Sequence, residues 1–361
     1  MFTRKESGLS TFEFLSATAK ASAVAIGIGA ILMSTGSCAG PAPDDDDAAA
    51  VRTAGRQFLS IGTAPPGGAF FPVGGALAGT LNENRGEESW QVTAEATKGT
   101  QENIRRLTRG ELDLALANSA ITYFAVRGEG GWKTRHDIRV VMTLAPNVAL
   151  FVAPKSAEIT AIEDLRGKRV VLGPAGAGFE YFLGPILGAH GLTYDDLTPL
   201  YATQAGAVDL LADGAAAAAF LGGAVPTASI TQAATSGDID YVPYRSDKLE
   251  ELLVGYPFFD RATIPAGTYS GLTEDYAGLN VGSMHLITTA DMDEELIYQV
   301  TRTLWENRAS VVEKHAAGRA INPRVVVRHT GTEFHPGAVR WFEEIGIWSS
   351  GTEAEVDEAA D

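Results

Sequence analysis

Small residues that precede a predicted helix recur at five points of the chain, and each point is a candidate anion-binding loop. In the first, Thr63 ends a predicted strand, residues 65–68 rule out regular structure, and a helix is predicted from Ala69. Glycine lets the backbone approach a ligand closely, and a helix start carries free N–H groups beside a partial positive charge. Such a loop can hold a carboxylate or a phosphate. The alternative is an ordinary strand–helix turn with two core phenylalanines at Phe70 and Phe71.

The same order of strand, small residues and helix is predicted four more times. The small residues lie at 97–100, 118–119, 174–178 and 222–223, with strands before them and helices after them. In an open parallel sheet, ligands bind outside the carboxyl ends of the strands. Because strand ends from two domains can face one cleft, the recurrence favours a shared binding site over five unrelated turns.

These loops supply the candidate ligand contacts. Thr63 and Ser119 offer hydroxyls, and Asn118 offers both a donor and an acceptor; a plain N-cap is the alternative role for Asn118 and Ser119. The aromatic residues would wall the ligand, with core packing as their alternative, and Lys98 is the one cation in the five loops. The candidate set is Thr63, Gly67, Gly68, Phe70, Phe71, Lys98, Asn118, Ser119, Tyr123, Gly176, Gly178, Phe179, Gly222 and Gly223.

An ordered set of segments resembles one known family. It begins with I-G-T-A-P-P-G-G-A-F-F-P-V-G-G-A-L, T-K-G-T-Q-E-N-I-R-R-L and G-E-L-D-L-A-L-A-N-S-A-I-T-Y. It continues with D-L-R-G-K-R-V-V-L-G-P-A-G-A-G, F-L-G-G-A-V-P-T-A-S-I, T-I-P-A-G-T-Y and F-H-P-G-A-V-R, and spans about residues 58–348. The chain is similar to the TAXI family, the solute-binding subunits of tripartite ATP-independent periplasmic (TRAP) transporters. It departs from that family in the first loop, where Ala69-Phe70-Phe71 replaces Tyr-Tyr and a Ser or Thr.

The resemblance implies an α/β protein with the type II periplasmic-binding-protein fold, in which crossing strands join two doubly wound α/β domains. It implies capture of a small carboxylate, glutamate or another C4–C6 dicarboxylate, and delivery to a TRAP transporter membrane subunit. The residues alone support only a small anionic ligand, because helix N-termini favour negative charge. Lys98 is the candidate partner of a second carboxylate, with a solvent-exposed loop lysine as its alternative.

A long apolar run marks the expected passage between domains. After Arg139, the run to Pro154 is mostly apolar with a break at Pro146-Asn147, so strands are predicted to cross near 145–150 and to return near 256–264. Domain 1 is therefore expected to comprise residues 57–146 and 257–348, and domain 2 residues 147–256. An acidic linker at 40–56 and an acidic tail at 349–361 complete the expected organisation.

The N-terminus reads as an export signal over residues 1–39. Basic residues precede an uncharged apolar run at 21–33, which is shorter than the ~20 residues of a membrane span. Cys38, the only cysteine, is either lipidated or lies at a signal-peptidase cleavage site. An extracytoplasmic location follows, with a lipid anchor as the one expected membrane contact, and the mature domain has no second cysteine for an intramolecular disulfide.

Charge and missing motifs exclude several functions. The chain has 28 Lys and Arg against 45 Asp and Glu, a net charge of −17, which disfavours nucleic acid as a partner. The six histidines show no metal-ligand spacing, and there is no P-loop or G-x-S-x-G element. No catalytic residue, metal or cofactor is predicted, and a monomeric binding protein is expected. An enzyme on the same fold, or the ligand-binding component of a sensory system, is the alternative.

Overall fold

The computed structural model describes residues 57–66, 68–86 and 89–348. The export signal, Cys38, Gly67, the acidic linker and the acidic tail lie outside the described residues. The strands are β1 (Phe58–Gly62), β2 (Gln91–Glu95), β3 (Leu114–Asn118), β4 (Ile138–Thr143), β5 (Val148–Pro154), β6 (Arg169–Val171), β7 (Thr198–Leu200), β8 (Ala218–Gly223), β9 (Ile239–Val242), β10 (Asp260–Ile264), β11 (Tyr276–Asn280) and β12 (Met284–Thr289).

The helices follow the strands in alternation through most of the chain. They are α1 (Phe70–Glu83), α2 (Thr100–Thr108), α3 (Ser119–Arg127), α4 (Glu180–Ala189), α5 (Gln204–Ala212), α6 (Ala228–Ser236), α7 (Ser246–Gly255), α8 (Glu294–Glu306), α9 (Arg308–Lys314) and α10 (Pro336–Glu344). The strand–helix pairs predicted from the five loops are all present. Asn307 separates α8 from α9.

The described strands form two sheets. The five-stranded sheet has the order β2-β1-β3-β12-β4, and the seven-stranded sheet has the order β10-β11-β5-β8-β6-β7, with β9 pairing β5. β1 runs parallel to β2 and β3, and β6 runs parallel to β7 and β8. In each sheet the strand that enters after a crossing, β5 or β12, runs antiparallel to its neighbours. The doubly wound sheets are therefore mixed.

The chain crosses between the sheets twice. The first crossing, at residues 144–147, joins β4 to β5 where it was expected. The expected return at 256–264 is wrong, because β10 pairs antiparallel with β11 inside the seven-stranded sheet. The return is the short segment 281–283 between β11 and β12. Residues 257–280 thus belong to the second sheet, whereas the sequence assigned them to domain 1.

The two crossing segments are held side by side. The amide N–H of Asn147 donates to the side-chain oxygen of Asn280 (2.9 Å), and its carbonyl accepts from the N–H of Val281 (2.9 Å). The N–H of Met284 donates to the carbonyl of Ala145 (2.9 Å). These paired segments form the only backbone route between the sheets within the described residues, and they are called the hinge segments.

Apolar side chains are buried against both sheets. Branched aliphatic and aromatic side chains such as Ile61, Leu286 and Phe342 are fully buried around the five-stranded sheet, and Phe151, Phe182 and Phe220 around the other. Across the described residues, no helix has both the length and the apolar character that spanning a bilayer requires. The two buried clusters fix the strands, and the loops of small residues follow the carboxyl ends of those strands, where a site can form.

Candidate functional site

One cavity lies where the loops of both sheets meet. Its volume is about 100 Å³, several times the ~10–15 Å³ that one water needs, so it accommodates a small molecule. The five-stranded side contributes residues 64–66, 68–70, 99–100, 118 and 121, and the other side contributes residues from 174 to 224. The crossing residues Ala145, Pro146 and Asn147, with Ala149 and Met284, close the remaining wall.

The two sides of the cavity are in contact. A β-carbon placed on Gly99 would lie 3.6 Å from the β-carbon of Ala177, and one on Gly223 would lie 3.7 Å from that of Ala69. On Gly178 it would approach Gln101 Cγ at 3.0 Å, and the backbone there has φ of 93°, which favours glycine. Small residues at these positions therefore allow the loops to meet, and the cavity is in a closed arrangement.

Five helices present their N-terminal ends to the cavity. Phe70, Thr100 and Gln204 are the first residues of α1, α2 and α5, and Asn118 and Phe179 are the N-caps of α3 and α4. Three of them, α1, α2 and α4, have no side-chain cap. The first N–H groups of a helix have no partner inside it, so these amides are available to an acceptor in the cavity.

Thr100 adds a buried hydroxyl to this set. The residue is 3 % exposed and lines the cavity. Its Oγ1 accepts a hydrogen bond from the amide of Asn118 (3.0 Å), and within the described residues its own proton has no acceptor. A hydroxyl that already accepts a hydrogen bond still has a proton to donate. Thr100 therefore offers the cavity another donor.

The side chains around the cavity are neutral. The polar ones are Thr100, Asn118, Asn147, Thr203 and Gln204, and the described lining includes no Asp, Glu, Lys, Arg or His. The apolar walls include Phe70, Ile121, Phe179, Phe182, Phe220 and Met284. The positive charge that the described lining offers an anion is therefore the partial charge of the helix N-termini, worth ~0.3–1 kcal/mol per helix end when exposed and more when buried.

The predicted contacts divide into two groups. Those that line the cavity are Gly68, Phe70, Asn118, Phe179, Gly222 and Gly223. The described residues that do not are Thr63, Phe71, Lys98, Ser119, Tyr123, Gly176 and Gly178. The strand–helix loops were thus a good guide to the place of the cavity and a poorer guide to which side chains face it.

Asn118 has a structural role that occupies its side chain. Oδ1 accepts from the amides of Ala120 (2.9 Å) and Ile121 (3.4 Å), which caps α3. Nδ2 donates to the carbonyls of Val281 (3.2 Å) and Gly282 (3.0 Å) in the returning hinge segment. The amide therefore ties α3 to the hinge and has little capacity left for a ligand.

The two predicted hydroxyl contacts are buried away from the cavity. Thr63 is fully buried and its Oγ1 donates to the carbonyl of Glu95 (2.7 Å), which joins β1 to β2. Ser119 is also fully buried, and its Oγ has no hydrogen-bond partner among the described residues. Neither hydroxyl is placed to contact a molecule in the cavity.

The other predicted contacts that do not line the cavity are either exposed to solvent or packed elsewhere. Lys98 and Gly176 are exposed, and Phe71 retains 38 % of its surface. Tyr123 packs against Phe258 and lies under the guanidinium of Arg127, 3.6 Å from the ring centroid. No cation from the predicted set therefore reaches the cavity.

Sequence reasoning missed several lining residues. Asn147 lies in the hinge, and its side-chain amide has no hydrogen-bond partner in the part of the chain that is described; the break at Pro146-Asn147 was the available signal. Gln204 begins α5; its Nε2 donates to the carbonyl of Gly222 (2.7 Å), and its Oε1 accepts from the amide of Gly222 (3.2 Å) and the hydroxyl of Ser229 (2.7 Å). Gln204 therefore holds the end of β8 in place beside the cavity.

The perturbed titratable groups lie elsewhere. His285 on β12 is fully buried, and burial lowers its pKa to about 3. Its Nε2 lies 2.9 Å from the Thr330 hydroxyl, and its Nδ1 has no partner among the described residues. No cluster of three or more His, Cys, Asp or Glu side chains that could hold a metal occurs in residues 57–66, 68–86 and 89–348.

The structure has two mixed β-sheets with helices between their strands, joined by paired crossing segments beside a cavity. This arrangement is the type II periplasmic-binding-protein fold. The sequence profile of the NMT1-like family matches residues 61–346, and the chain belongs to that family.

Solved structures resemble this chain at low identity, and one with a TM-score above 0.5 shows the same fold. PhnD1 from Prochlorococcus marinus, in complex with methylphosphonate, is 10 % identical with a TM-score of 0.52, over 81 % of this chain and all of that one. The periplasmic aliphatic sulphonate-binding protein SsuA from Escherichia coli is 16 % identical with a TM-score of 0.43, over 73 % of this chain and 81 % of that one.

Proposed function

We propose that the protein is an extracytoplasmic solute-binding protein that captures a small organic anion in the cavity between its two sheets. The observation that carries this proposal is the convergence of the uncapped N-termini of α1, α2 and α4 on a closed cavity with no charged lining residue among those described. Orphan helix amides and a partial positive charge favour an anion. The buried Thr100 hydroxyl adds a donor to the same cavity.

Capture involves closure of the two halves around the ligand. The paired segments 144–147 and 281–283 are short and connect the sheets, so rotation about them would open the cavity. Gly99, Gly178 and Gly223 allow the close contacts of the closed arrangement. The ligand stabilises this arrangement because only there do amides from both halves surround it.

The transport assignment is also part of the proposal. The TAXI resemblance supports delivery of the bound anion to a TRAP transporter membrane subunit, and the apolar run at 21–33 supports export across the inner membrane. Glutamate and the C4–C6 dicarboxylates are the solutes that this resemblance implies. The NMT1-like family and the fold shared with the methylphosphonate-bound PhnD1 keep phosphonates and sulfonates in the same test.

Titration calorimetry on ligand-stripped protein tests the proposal. The protein is unfolded in guanidinium, dialysed, refolded, and titrated with carboxylates, sulfonates, phosphonates, neutral amides and sugars. We expect reversible binding of at least one anion and none of the neutral compounds. Selective binding of a sugar or a neutral amide would contradict an anion site.

An enzyme on this fold is the competing class, and the same samples distinguish it. Each compound that binds is incubated with the protein and followed by proton NMR. We expect the compound to be recovered unchanged, because neutral amide and threonine side chains at the cavity provide no general base. Turnover of any of them would favour the enzyme.

A further inference from the structure

We infer that the ligand is a monoanion with an apolar body, in preference to a dicarboxylate or an amino acid. This inference rests on the proposed function, since it concerns the chemistry of the same cavity. It departs from the glutamate and dicarboxylate expectation, which required a cationic side chain that the described lining lacks.

The charges near the cavity match one anionic group and no more. Helix amides and the Thr100 hydroxyl satisfy one anion, but a second carboxylate needs a fixed cation or loses its hydration uncompensated. Lys98, the one cation in the predicted loops, is exposed and outside the lining. Two arginines outside the predicted loops, Arg245 and Arg261, pair with Asp247 and Glu250 on the surface.

An ammonium group is equally unmatched. An amino acid buries a cation as well as a carboxylate, and the described lining includes no carboxylate side chain to receive it. The nearest acid along α4 is Glu180, whose carboxylate accepts a hydrogen bond from Gln101 (2.8 Å) and does not line the cavity. A zwitterion would therefore leave its positive end without a partner.

The apolar walls indicate the rest of the ligand. The cavity walls are mostly apolar, and three of the four aromatic wall residues, Phe179, Phe182 and Phe220, come from the half with the seven-stranded sheet. Burying hydrocarbon is favourable, roughly in proportion to the apolar area removed from water. A carboxylate with one alkyl or aryl group therefore matches both the helix amides and the apolar walls. A second polar end on the ligand would contact the apolar walls and gain from neither.

A matched series with five carbons separates the three ligand classes. Pentanoate, glutarate, norvaline and pentanamide differ at one group each, and glutamate is added as the expected solute. Calorimetry on refolded, ligand-stripped protein at pH 7.5 is expected to show that pentanoate binds at least about tenfold more tightly than each of the others.

Two results would overturn the inference, and they are distinguishable. Glutarate, glutamate or norvaline binding as tightly as pentanoate, or more tightly, would overturn the monoanion inference and leave the anion-binding function standing. Preferential binding of pentanamide over pentanoate would overturn both.

A variant pair asks whether charge causes the selectivity. Asn147 lines the cavity and its side chain makes no hydrogen bond within the described residues, so its replacement breaks no side-chain hydrogen bond there. Asn147→Lys places a cation at the wall, and Asn147→Met is the neutral control of similar length. We expect the ratio of glutarate to pentanoate affinity to rise at least about tenfold in Asn147→Lys relative to Asn147→Met. An equal ratio in the two variants would overturn the assignment of selectivity to missing charge.

Discussion

Gln101 and Glu180 form a hydrogen bond that joins the two halves of the molecule beside the cavity. Nε2 of Gln101 on α2 lies 2.8 Å from Oε1 of Glu180 on α4. Gln101 is buried, at 6 % exposure, although no residue of its own sheet accepts its amide. Because the two helices belong to different sheets, we expect this hydrogen bond to be lost when the two halves move apart.

Breaking that hydrogen bond should weaken ligand binding without unfolding either half. A hydrogen bond to a charged group contributes about 1.5–3 kcal/mol when buried, and Glu180 is exposed, so we expect Gln101→Leu to weaken affinity about three- to tenfold. Calorimetry gives the affinity, and urea unfolding confirms that the variant is folded. The double variant Gln101→Glu/Glu180→Gln exchanges the carboxylate and the amide and should restore most of the loss. Unchanged affinity in Gln101→Leu would show that this contact does not stabilise the closed state.

Replacing Asn118 should lower the free energy of unfolding, although the residue lines the cavity, because its side chain makes structural hydrogen bonds. Asn118→Ala removes the cap of α3 and both donors to the hinge, and we expect a loss of about 2–3 kcal/mol in the free energy of unfolding. Asn118→Asp keeps the capping oxygen and loses the donors, so it should be intermediate. Urea unfolding at pH 7 measures both. A loss below about 0.5 kcal/mol in Asn118→Ala would contradict the structural role.

Ser119→Ala should leave ligand affinity unchanged. Its hydroxyl is fully buried, lies outside the cavity lining, and has no partner in the described structure. Because an unsatisfied buried polar group is destabilising, its removal should leave stability equal or raise it by up to about 1 kcal/mol. Calorimetry and urea unfolding test the two expectations. A weakened affinity in the folded variant would return Ser119 to the ligand contacts.

His285 should make stability depend on pH below neutrality. Burial lowers the pKa of this histidine from 6.5 to about 3, so the unfolded chain binds the proton more tightly than the folded one. Its contribution is fully present above pH 6.5 and falls as pH decreases towards 3, by up to about 1.4 kcal/mol per pH unit.

Unfolding of His285→Gln supplies the control for that prediction. Carboxylates and His335, whose pKa burial also lowers, titrate in both proteins, so only the difference between the two urea-unfolding profiles reports His285. We expect the wild-type protein to lose more stability than the variant between pH 6.5 and 4.5. Parallel profiles would contradict a neutral buried imidazole.

The sequence was informative about local structure and less so about side-chain direction. Small residues after strands located the loops around the cavity, because glycine and helix starts are needed there whatever the tertiary packing. The break at Pro146-Asn147 located the first crossing. The return was expected too early because β10 and β11 are joined without a helix between them. They form a hairpin in the seven-stranded sheet, which the sequence did not distinguish from a return to the first domain.

The lining depended on tertiary contacts that spacing does not encode. Thr63 and Gln204 are both polar residues at a strand–helix loop. Thr63 donates to the neighbouring strand, whereas Gln204 lies at the cavity and holds Gly222. The role of each residue depends on which strand is its neighbour in the sheet, and one sequence does not reveal the order of the strands. The absence of a cation from the described lining likewise became visible only when the loops were brought together.

A charge placed inside the cavity tests the central claim most directly. Ala224 lines the cavity between β8 and α6 and is half-buried, so Ala224→Asp adds a carboxylate there and Ala224→Asn adds a neutral side chain of the same shape. Two like charges about 4 Å apart repel by roughly 4 kcal/mol at an effective dielectric constant of 20. At pH 8, calorimetry with pentanoate is expected to show Ala224→Asp at least about 100-fold weaker than Ala224→Asn. Equal affinities in the two folded variants would contradict anion binding in this cavity.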